Sequence, residues 1–319
     1  MWYRFICIIN KNMLNNFAIA IHGGAGTILK EDITDELYQR YYDGLKNALS
    51  CGLEILKQGG SSVDAVEAAV ICLENNPLFN AGKGAVYNHE GKHEMDACIM
   101  NGSTLNAGAA CGVSNVCNPV MLARKIMEEN KYVLLAGKGA EEFAKQQHLK
   151  FADDDYFADK LRYKQWQEAK EDNRTQLDHA AKKFGTVGAV ALDTAGNLAA
   201  ATSTGGLTNK QFGRVGDTPV VGAGTYANKQ CAISCTGEGE FFLRAVAAYD
   251  VACLIDYKGM DLHHACNLVI MEKMVELGGE GGLIAVDTKG HIEMVFNSAG
   301  MYRACADSNG KLEIKIYKD

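Results

Sequence analysis

The chemistry in this 319-residue chain gathers around one threonine. A polar, charged stretch from Tyr163 to Lys183 runs up to Gly185, and the text then turns abruptly apolar in Thr186-Val187-Gly188-Ala189-Val190-Ala191-Leu192. A Gly–Thr step at such a boundary reads in two ways. It is a turn before a strand, or it is a cleavage point that would leave a chain beginning with threonine. A terminal threonine holds a hydroxyl nucleophile and an amine base on one residue. The reference pKa of an α-amine, about 7.7–8.0, suits a general base near neutral pH.

Further candidate groups follow downstream. Ser203-Thr204-Gly205-Gly206 ends a strand with hydroxyls and no bulk. Gly213-Arg214-Val215-Gly216-Asp217 sets one cation and one anion in a glycine-flanked loop. The pair is either a loop salt bridge or a pincer for a free amino acid, with arginine taking the carboxylate through its two-pronged donor face and aspartate taking the ammonium. Val221-Gly222-Ala223-Gly224-Thr225 reads as a small-residue strand, and Thr236-Gly237-Glu238-Gly239-Glu240 leads into a helix. Thr236-Gly237 is either a helix cap or a source of donors for a developing oxyanion. Together these groups would make an amidase.

The elements that must position them are legible in outline. Phe17 to Ile21 is a buried strand feeding His22-Gly23-Gly24-Ala25-Gly26-Thr27. No GxGxxG or GxxxxGK[ST] pattern is present, so the glycines serve a phosphate less well than a close approach of backbone to a neighbouring site. Thr34 caps a helix with Asp35 and Glu36 in its first turn, and Gly59-Gly60 stops it. Ser61 opens a second helix, which ends in Leu73-Glu74-Asn75-Asn76-Pro77-Leu78-Phe79-Asn80-Ala81-Gly82-Lys83-Gly84-Ala85. That stretch is either a helix stop or a loop whose carbonyls hold an alkali cation, aided by the orphan carbonyls of the helix end. Strands are expected at 85–87 and 94–100, and helices after Asn118-Pro119 and after Gly139. Beyond Thr186 the pattern predicts a hairpin over 187–203, helices from about Glu240 to Leu254 and from Leu262 to Leu277, and a hairpin over 283–296. Strands and helices in this order imply stacked sheets covered on both sides rather than a βαβ fold.

Composition narrows the partners. A net charge of −7, with scattered Lys and Arg, argues against a nucleic-acid or anionic-membrane partner. No stretch approaches a membrane span. The 11 cysteines are odd in number and form no CxxC pair. Cys72, Cys98, Cys111, Cys253 and Cys266 read as small buried hydrophobes in a reducing, cytoplasmic setting. His89 and His93 have no third ligand close by in sequence. Residues 1–16 read as an N-terminal extension with Met13 as the natural start, because Phe5 to Ile9 is too short for a signal-peptide core.

With these blocks assembled, the chain resembles the plant-type asparaginase/isoaspartyl peptidase family of N-terminal nucleophile hydrolases. The likeness rests on Ile21 to Gly26, Pro77 to Gly82, Gly185 to Lys210, Gly213 to Asp217, Thr236 to Glu240, Phe296-Asn297 and Gly300 to Ala304. The resemblance implies an α/β, four-layer αββα sandwich that cleaves itself between Gly185 and Thr186. The α chain would span 17–185, with a mobile linker at about 153–185, and the β chain 186–319, assembling as (αβ)2. It makes Thr186 the nucleophile, Thr204 its positioning partner, Thr236 and Gly237 the oxyanion pair, and Asn80 a nearby active-centre side chain. Arg214 and Asp217 would bind the substrate's α-carboxylate and α-ammonium, with Thr236, Gly237 and Gly239 lining that pocket. The carbonyls of Leu73, Glu74, Asn76, Phe79, Ala81 and Lys83 would hold sodium or potassium, and no organic cofactor is needed. The expected substrates are isoaspartyl dipeptides and L-asparagine. The alternatives are a glycosylasparaginase, which the missing signal peptide and unpaired cysteines disfavour, and a non-catalytic glycine-loop ligand-binding protein.

Overall fold

The computed structural model describes residues 16–26, 28–171 and 185–318. Residues 1–15 of the N-terminal extension and 172–184 of the expected linker lie outside the described residues, whereas the first part of that linker forms the helices Asp154–Phe157 and Lys160–Glu171.

The first strand, β1 (Ala18–Gly26), is buried along its whole length. The helix α1 (Asp35–Lys57) starts where the Thr34 side chain accepts from Leu37 N at 3.2 Å, and α2 (Ser62–Glu74) starts where Ser61 accepts from Asp64 N at 3.1 Å. Each cap satisfies a donor that the helix's own ladder cannot. Then come β2 (Met95–Asn101), β3 (Ala107–Val113), α3 (Pro119–Glu129), the short β4 (Leu134–Ala136), α4 (Gly137–Gln146), α5 (Asp154–Phe157) and α6 (Lys160–Glu171). After the Gly185–Thr186 step the chain forms β5 (Val187–Leu192), β6 (Leu198–Thr204), β7 (Thr225–Ala227) and β8 (Cys231–Gly237). Helices α7 (Gly239–Ala245), α8 (Ala247–Lys258) and α9 (Leu262–Asn267) precede a π-helical turn at Leu268–Lys273 and α10 (Met274–Glu276). Strands β9 (Gly281–Asp287), β10 (Ile292–Phe296), β11 (Gly300–Asp307) and β12 (Leu312–Tyr317) complete it.

The strands make two sheets, ordered β12-β11-β1-β5-β6-β2-β3-β4 and β10-β9-β8-β7. Period-two alternation decides what each face meets. From β1, Ile19 and Ile21 pack with Leu45, Val66 and Val70 of the first helical layer, while Ala18 and Ala20 face Ile284 and Val286 of the second sheet. On the far side of that sheet, Ile233, Cys235 and Leu283 pack with Phe242, Val251 and Val269 from its helices. The layers therefore run α–β–β–α, as the resemblance implies. Small residues such as Ala18, Ala20 and Ala200 line the contact between sheets and let side chains of the two sheets meet.

Several local expectations are corrected. Residues 85–87 form no strand, because Val86 N is taken by the Asn80 side chain at 3.0 Å rather than by a neighbouring strand. The stretch from Val221 to Gly224 is a tight turn closed by Gly222 N donating to Thr225 O at 2.8 Å, and strand pairing begins only at Thr225. The helix expected from Glu240 to Leu254 breaks at Val246, whose φ of +49° is costly for a β-branched residue. The helix from Leu262 is continuous but widens into the π turn. Cys72 is not a lone buried hydrophobe: it forms a disulfide with Cys51 that joins α1 to α2. That bond takes one pair out of the unpaired-cysteine argument against the glycosylasparaginase alternative, while eight cysteines among the described residues are free.

Candidate active site

Thr186 stands one residue before the ladder of β5, whose first pair with β6 is Val187 opposite Ser203. It sits in the middle of the larger sheet and is buried. Its Oγ1 donates to Thr204 Oγ1 at 3.2 Å, and Thr204 Oγ1 also accepts from Gly206 N at 3.0 Å. The two threonines singled out in the sequence thus meet. Asn80 underlies this corner: its main-chain oxygen accepts from Gly205 N at 3.0 Å, and its Nδ2 donates to Gly206 O at 2.8 Å. A Cβ at Gly185 would overlap Asn80, coming within 2.8 Å of its Nδ2. Asn80 is therefore a buried tie between the loop after α2 and the end of β6, directly beneath the Gly185–Thr186 step.

Thr236 and Gly237 close β8 and are not a helix cap, since α7 begins at Gly239. Thr236 Oγ1 accepts from Ala25 N at 3.2 Å, which fastens β8 to β1 across the two sheets. The fully buried hydroxyl keeps its own proton available as a donor. A residue that sequence reasoning did not single out lies two positions earlier on the same face. Ser234 Oγ is 2.9 Å from His22 Nε2, and His22 Nδ1 is 3.1 Å from Thr186 O. His22 lies in the Ile21–Gly26 block of the family resemblance, whose glycine loop is expected to pack near the Gly185–Thr186 bond, but nothing in the sequence paired its ring with Ser234.

The Arg214/Asp217 pair resolves into neither a simple salt bridge nor two free arms. Arg214 makes a fork with Glu240, Nε to Oε1 at 2.8 Å and Nη2 to Oε2 at 3.0 Å, and Nη1 lies outside that fork. Glu240 was read only as the start of a helix, since its contact with Arg214 spans 26 residues to the first turn of α7. Asp217 is buried, and its Oδ2 has no hydrogen-bond partner. Burial pushes its carboxyl up to about 7, against the opposing pull of Arg214. A Cβ on Gly239 would stand 2.8 Å from Asp217 Oδ1 and 2.9 Å from Arg214 Nη2. Glycine there keeps open the space between the arginine and the aspartate. A buried carboxylate with an unmet oxygen beside a guanidinium is suited to an α-amino acid headgroup.

The loop after α2 folds its carbonyls inward. A Cβ on Gly82 would come within 2.6 Å of Glu74 O, and one on Gly84 within 2.7 Å of Pro77 O while overlapping Phe79 O. Backbone carbonyls are the ligand type a hard cation takes, and here Leu73 O, Asn76 O, Phe79 O and Ala81 O each also accept a main-chain N–H within the loop. The Lys83 ammonium points elsewhere, over the Tyr156 ring at 5.2 Å. The Glu74 carboxylate is buried beside this loop, where it accepts from Ser203 Oγ at 2.6 Å and Val120 N at 3.0 Å. Burial raises its pKa to about 7, against those hydrogen bonds.

Two helix-covered sheets with a threonine poised where a central strand begins define an N-terminal nucleophile hydrolase. Within that class the chain belongs to the asparaginase family, whose profile matches residues 15–316. It is 50% identical to the isoaspartyl peptidase of Salmonella typhimurium, over 96% of this chain and 100% of that one. It is 49% identical to the isoaspartyl peptidase of Escherichia coli, over 94% of this chain and 96% of that one. It is 43% identical to the plant-type L-asparaginase of Thermococcus kodakarensis, over 89% and 94% of the two chains.

Proposed function

We propose that this protein hydrolyses isoaspartyl dipeptides and L-asparagine, with Thr186 as the nucleophile. The observation that carries the reading is the buried Thr186–Thr204 hydroxyl pair, in a chain that matches isoaspartyl peptidases over nearly its whole length. Cleavage of the Gly185–Thr186 bond frees the Thr186 amine. That amine takes the hydroxyl proton as Oγ1 attacks the substrate's side-chain carbonyl, and Thr236 and Gly237 receive the developing oxyanion. The C–N bond breaks as the amine returns the proton to the leaving nitrogen, releasing ammonia or an amino acid. Water, deprotonated by the same amine, then cleaves the β-aspartyl ester. This frees L-aspartate and restores the threonine hydroxyl. Arg214 and Asp217 hold the α-carboxylate and α-ammonium, and Gly239 leaves room for them.

The same reading gives the loop a sodium or potassium ion held by the main-chain oxygens of Leu73, Glu74, Asn76, Phe79, Ala81 and Lys83. Bound there, the ion would supply charge to brace the loop that carries Asn80. The working form is an (αβ)2 assembly in the cytoplasm. Among the described residues no helix is long and apolar enough to cross a membrane. Mass spectrometry of purified protein should show two chains, the second beginning at Thr186. Thr186→Ala should abolish both the cut and turnover of β-aspartyl dipeptides. A lasting single chain, or residual turnover in that variant, would sink this reading. Faster turnover of glycosylated asparagine than of the dipeptide would transfer the assignment to a glycosylasparaginase.

A further inference from the structure

Thr186 has a mechanical difficulty. The ladder between β5 and β6 starts at Val187, and the pairing of β1 with β5 ends at His22 opposite Gly188. The register of β1 against β11 also shifts between His22 and Gly24. No ladder pair therefore includes the residue whose position matters most, and cleavage would remove its covalent neighbour as well.

We propose that the His22 side chain replaces the missing ladder bond and is the positioning residue for Thr186, with its ring set by a directed chain of buried hydroxyls from Ser234 through Thr202 to Thr225. The inference rests on Thr186 being the nucleophile. The links are short and continuous. His22 Nδ1 is 3.1 Å from Thr186 O, and Nε2 is 2.9 Å from Ser234 Oγ. Ser234 Oγ is 2.8 Å from Thr202 Oγ1, and Thr225 Oγ1 is 2.6 Å from Thr202 Oγ1. All four side chains are fully buried.

The direction of the chain follows from which groups can only accept. A carbonyl has no proton, so His22 Nδ1 must carry the hydrogen that reaches Thr186 O. Burial keeps the imidazole neutral, lowering its pKa to about 3 although the bond to Thr186 opposes this. Nε2 is then an acceptor, and the Ser234 hydroxyl donates to it. With its proton committed, Ser234 accepts from Thr202 at 2.8 Å, and Thr202 in turn accepts from Thr225 at 2.6 Å; these contacts are shorter than the competing ones from Thr202 Oγ1 to Gly224 O at 3.4 Å and from Thr225 Oγ1 to Thr218 O at 3.1 Å. Thr186 O thus selects the Nδ1–H tautomer, and Ser234 on β8, Thr202 on β6 and Thr225 on β7 can follow it because each hydroxyl both donates and accepts. Gly188 bears on the same arrangement, since a Cβ there would overlap Ser234 Oγ and stand 2.5 Å from His22 Nε2. The second glycine of Gly185-Thr186-Val187-Gly188 is the gap through which the His22–Ser234 bond passes. The Thr186 carbonyl held by His22 and the Thr186 hydroxyl held by Thr204 fix the residue at two points. Rate depends steeply on such placement.

Replacing His22 by the two carboxamides separates its two bonds. In His22→Asn the amide nitrogen can occupy the Nδ1 position and donate to Thr186 O, losing Ser234. In His22→Gln the amide reaches the Nε2 position, keeping Ser234 and leaving Thr186 O without its donor. With a β-aspartyl dipeptide, His22→Gln should lose at least about tenfold in kcat with KM within about twofold, and His22→Asn should recover most of that loss. The two variants should unfold at similar temperatures. If His22→Gln fails to mature, the rate of the Gly185–Thr186 cut is read instead, with the same order expected. Ser234→Ala leaves every contact of Thr186 itself in place, yet should lower kcat several-fold at constant KM. Equal losses in the two His22 variants, or undiminished kcat in Ser234→Ala, would overturn the proposal. Turnover surviving in Thr186→Ala would instead show that the nucleophile itself was misassigned.

Discussion

On the proposed reading, Asp217 is the residue that takes the substrate's α-ammonium. Its Oδ2 is buried and lacks a partner, and the nearest guanidinium is already engaged by Glu240. A carboxylate so placed is costly when ionised and gains most from a ligand ammonium brought against it. With the carboxyl raised to about 7, the free protein carries it largely neutral at pH 6 and largely ionised at pH 8. On that reading the ionised form binds the substrate ammonium, so KM for L-asparagine should rise as pH falls below about 7. The Asp217→Asn variant should raise KM roughly tenfold to a hundredfold at pH 8, the equivalent of a lost charge-assisted hydrogen bond, and should flatten its pH dependence. Steady-state kinetics from pH 6 to 8 tests both, and a KM that is pH-independent in the natural protein would exclude Asp217 as the ammonium site. Arg214 and Asp217 were legible as a pair in the sequence, but the contact of Arg214 with Glu240 was not. Arg214 and Asp217 are three residues apart and so drew attention to each other, whereas Glu240 reaches Arg214 only because α7 folds back over the loop.

At the scale of elements, caps and punctuation were the readable part. Thr34 and Ser61 start helices, and the hairpins over 187–203 and 283–296 form where turn residues interrupt apolar runs. Breaks imposed by tertiary packing were not readable. Val246 is a residue no local rule would place at a left-handed φ, and it ends α7 so that α8 can lie against β8 and bury Ala247, Ala248 and Val251. The Cys51–Cys72 bond was hidden for the same reason: it depends on α1 and α2 lying side by side, and a spacing of 21 residues carries no motif. Closing a loop of that size restricts the unfolded chain by about 3 kcal/mol. Under oxidising conditions, replacing Cys51 by Ser should therefore lower unfolding stability by about 3 kcal/mol. In excess reductant the gap between the variant and the natural protein should close. Denaturant melts with and without reductant measure it, and a variant whose deficit is unchanged by reductant would show that packing, not the covalent link, makes the difference.

Among the carboxylates that the fold buries, Asp96 included, burial takes two furthest: Glu74 at the end of the first helical layer and Asp217 in the loop before β7. Both are raised to about 7 by burial. A folded-state pKa above the unfolded value means that the folded form retains a proton over the range in which the unfolded chain has lost it. The contribution to stability is full below about pH 4 and is lost as pH rises through about 7. Other groups add their own dependence, so the test is the difference between the natural protein and Asp217→Asn. That variant should be more stable at pH 8, on the order of 1–3 kcal/mol, with the advantage shrinking towards pH 5. Ligand should reverse the cost. L-aspartate offers its ammonium to an ionised Asp217 at pH 8, but at pH 6 the carboxyl must first give up a proton, which weakens binding by about tenfold per pH unit below its pKa. A fixed concentration of L-aspartate should therefore raise the unfolding temperature more at pH 8 than at pH 6, and should do little for Asp217→Asn at either. Equal shifts at the two pH values, or an equal shift in the variant, would mean that the buried carboxylate and the amino-acid headgroup do not meet. The loss of stability at high pH would then have no functional counterpart in this site.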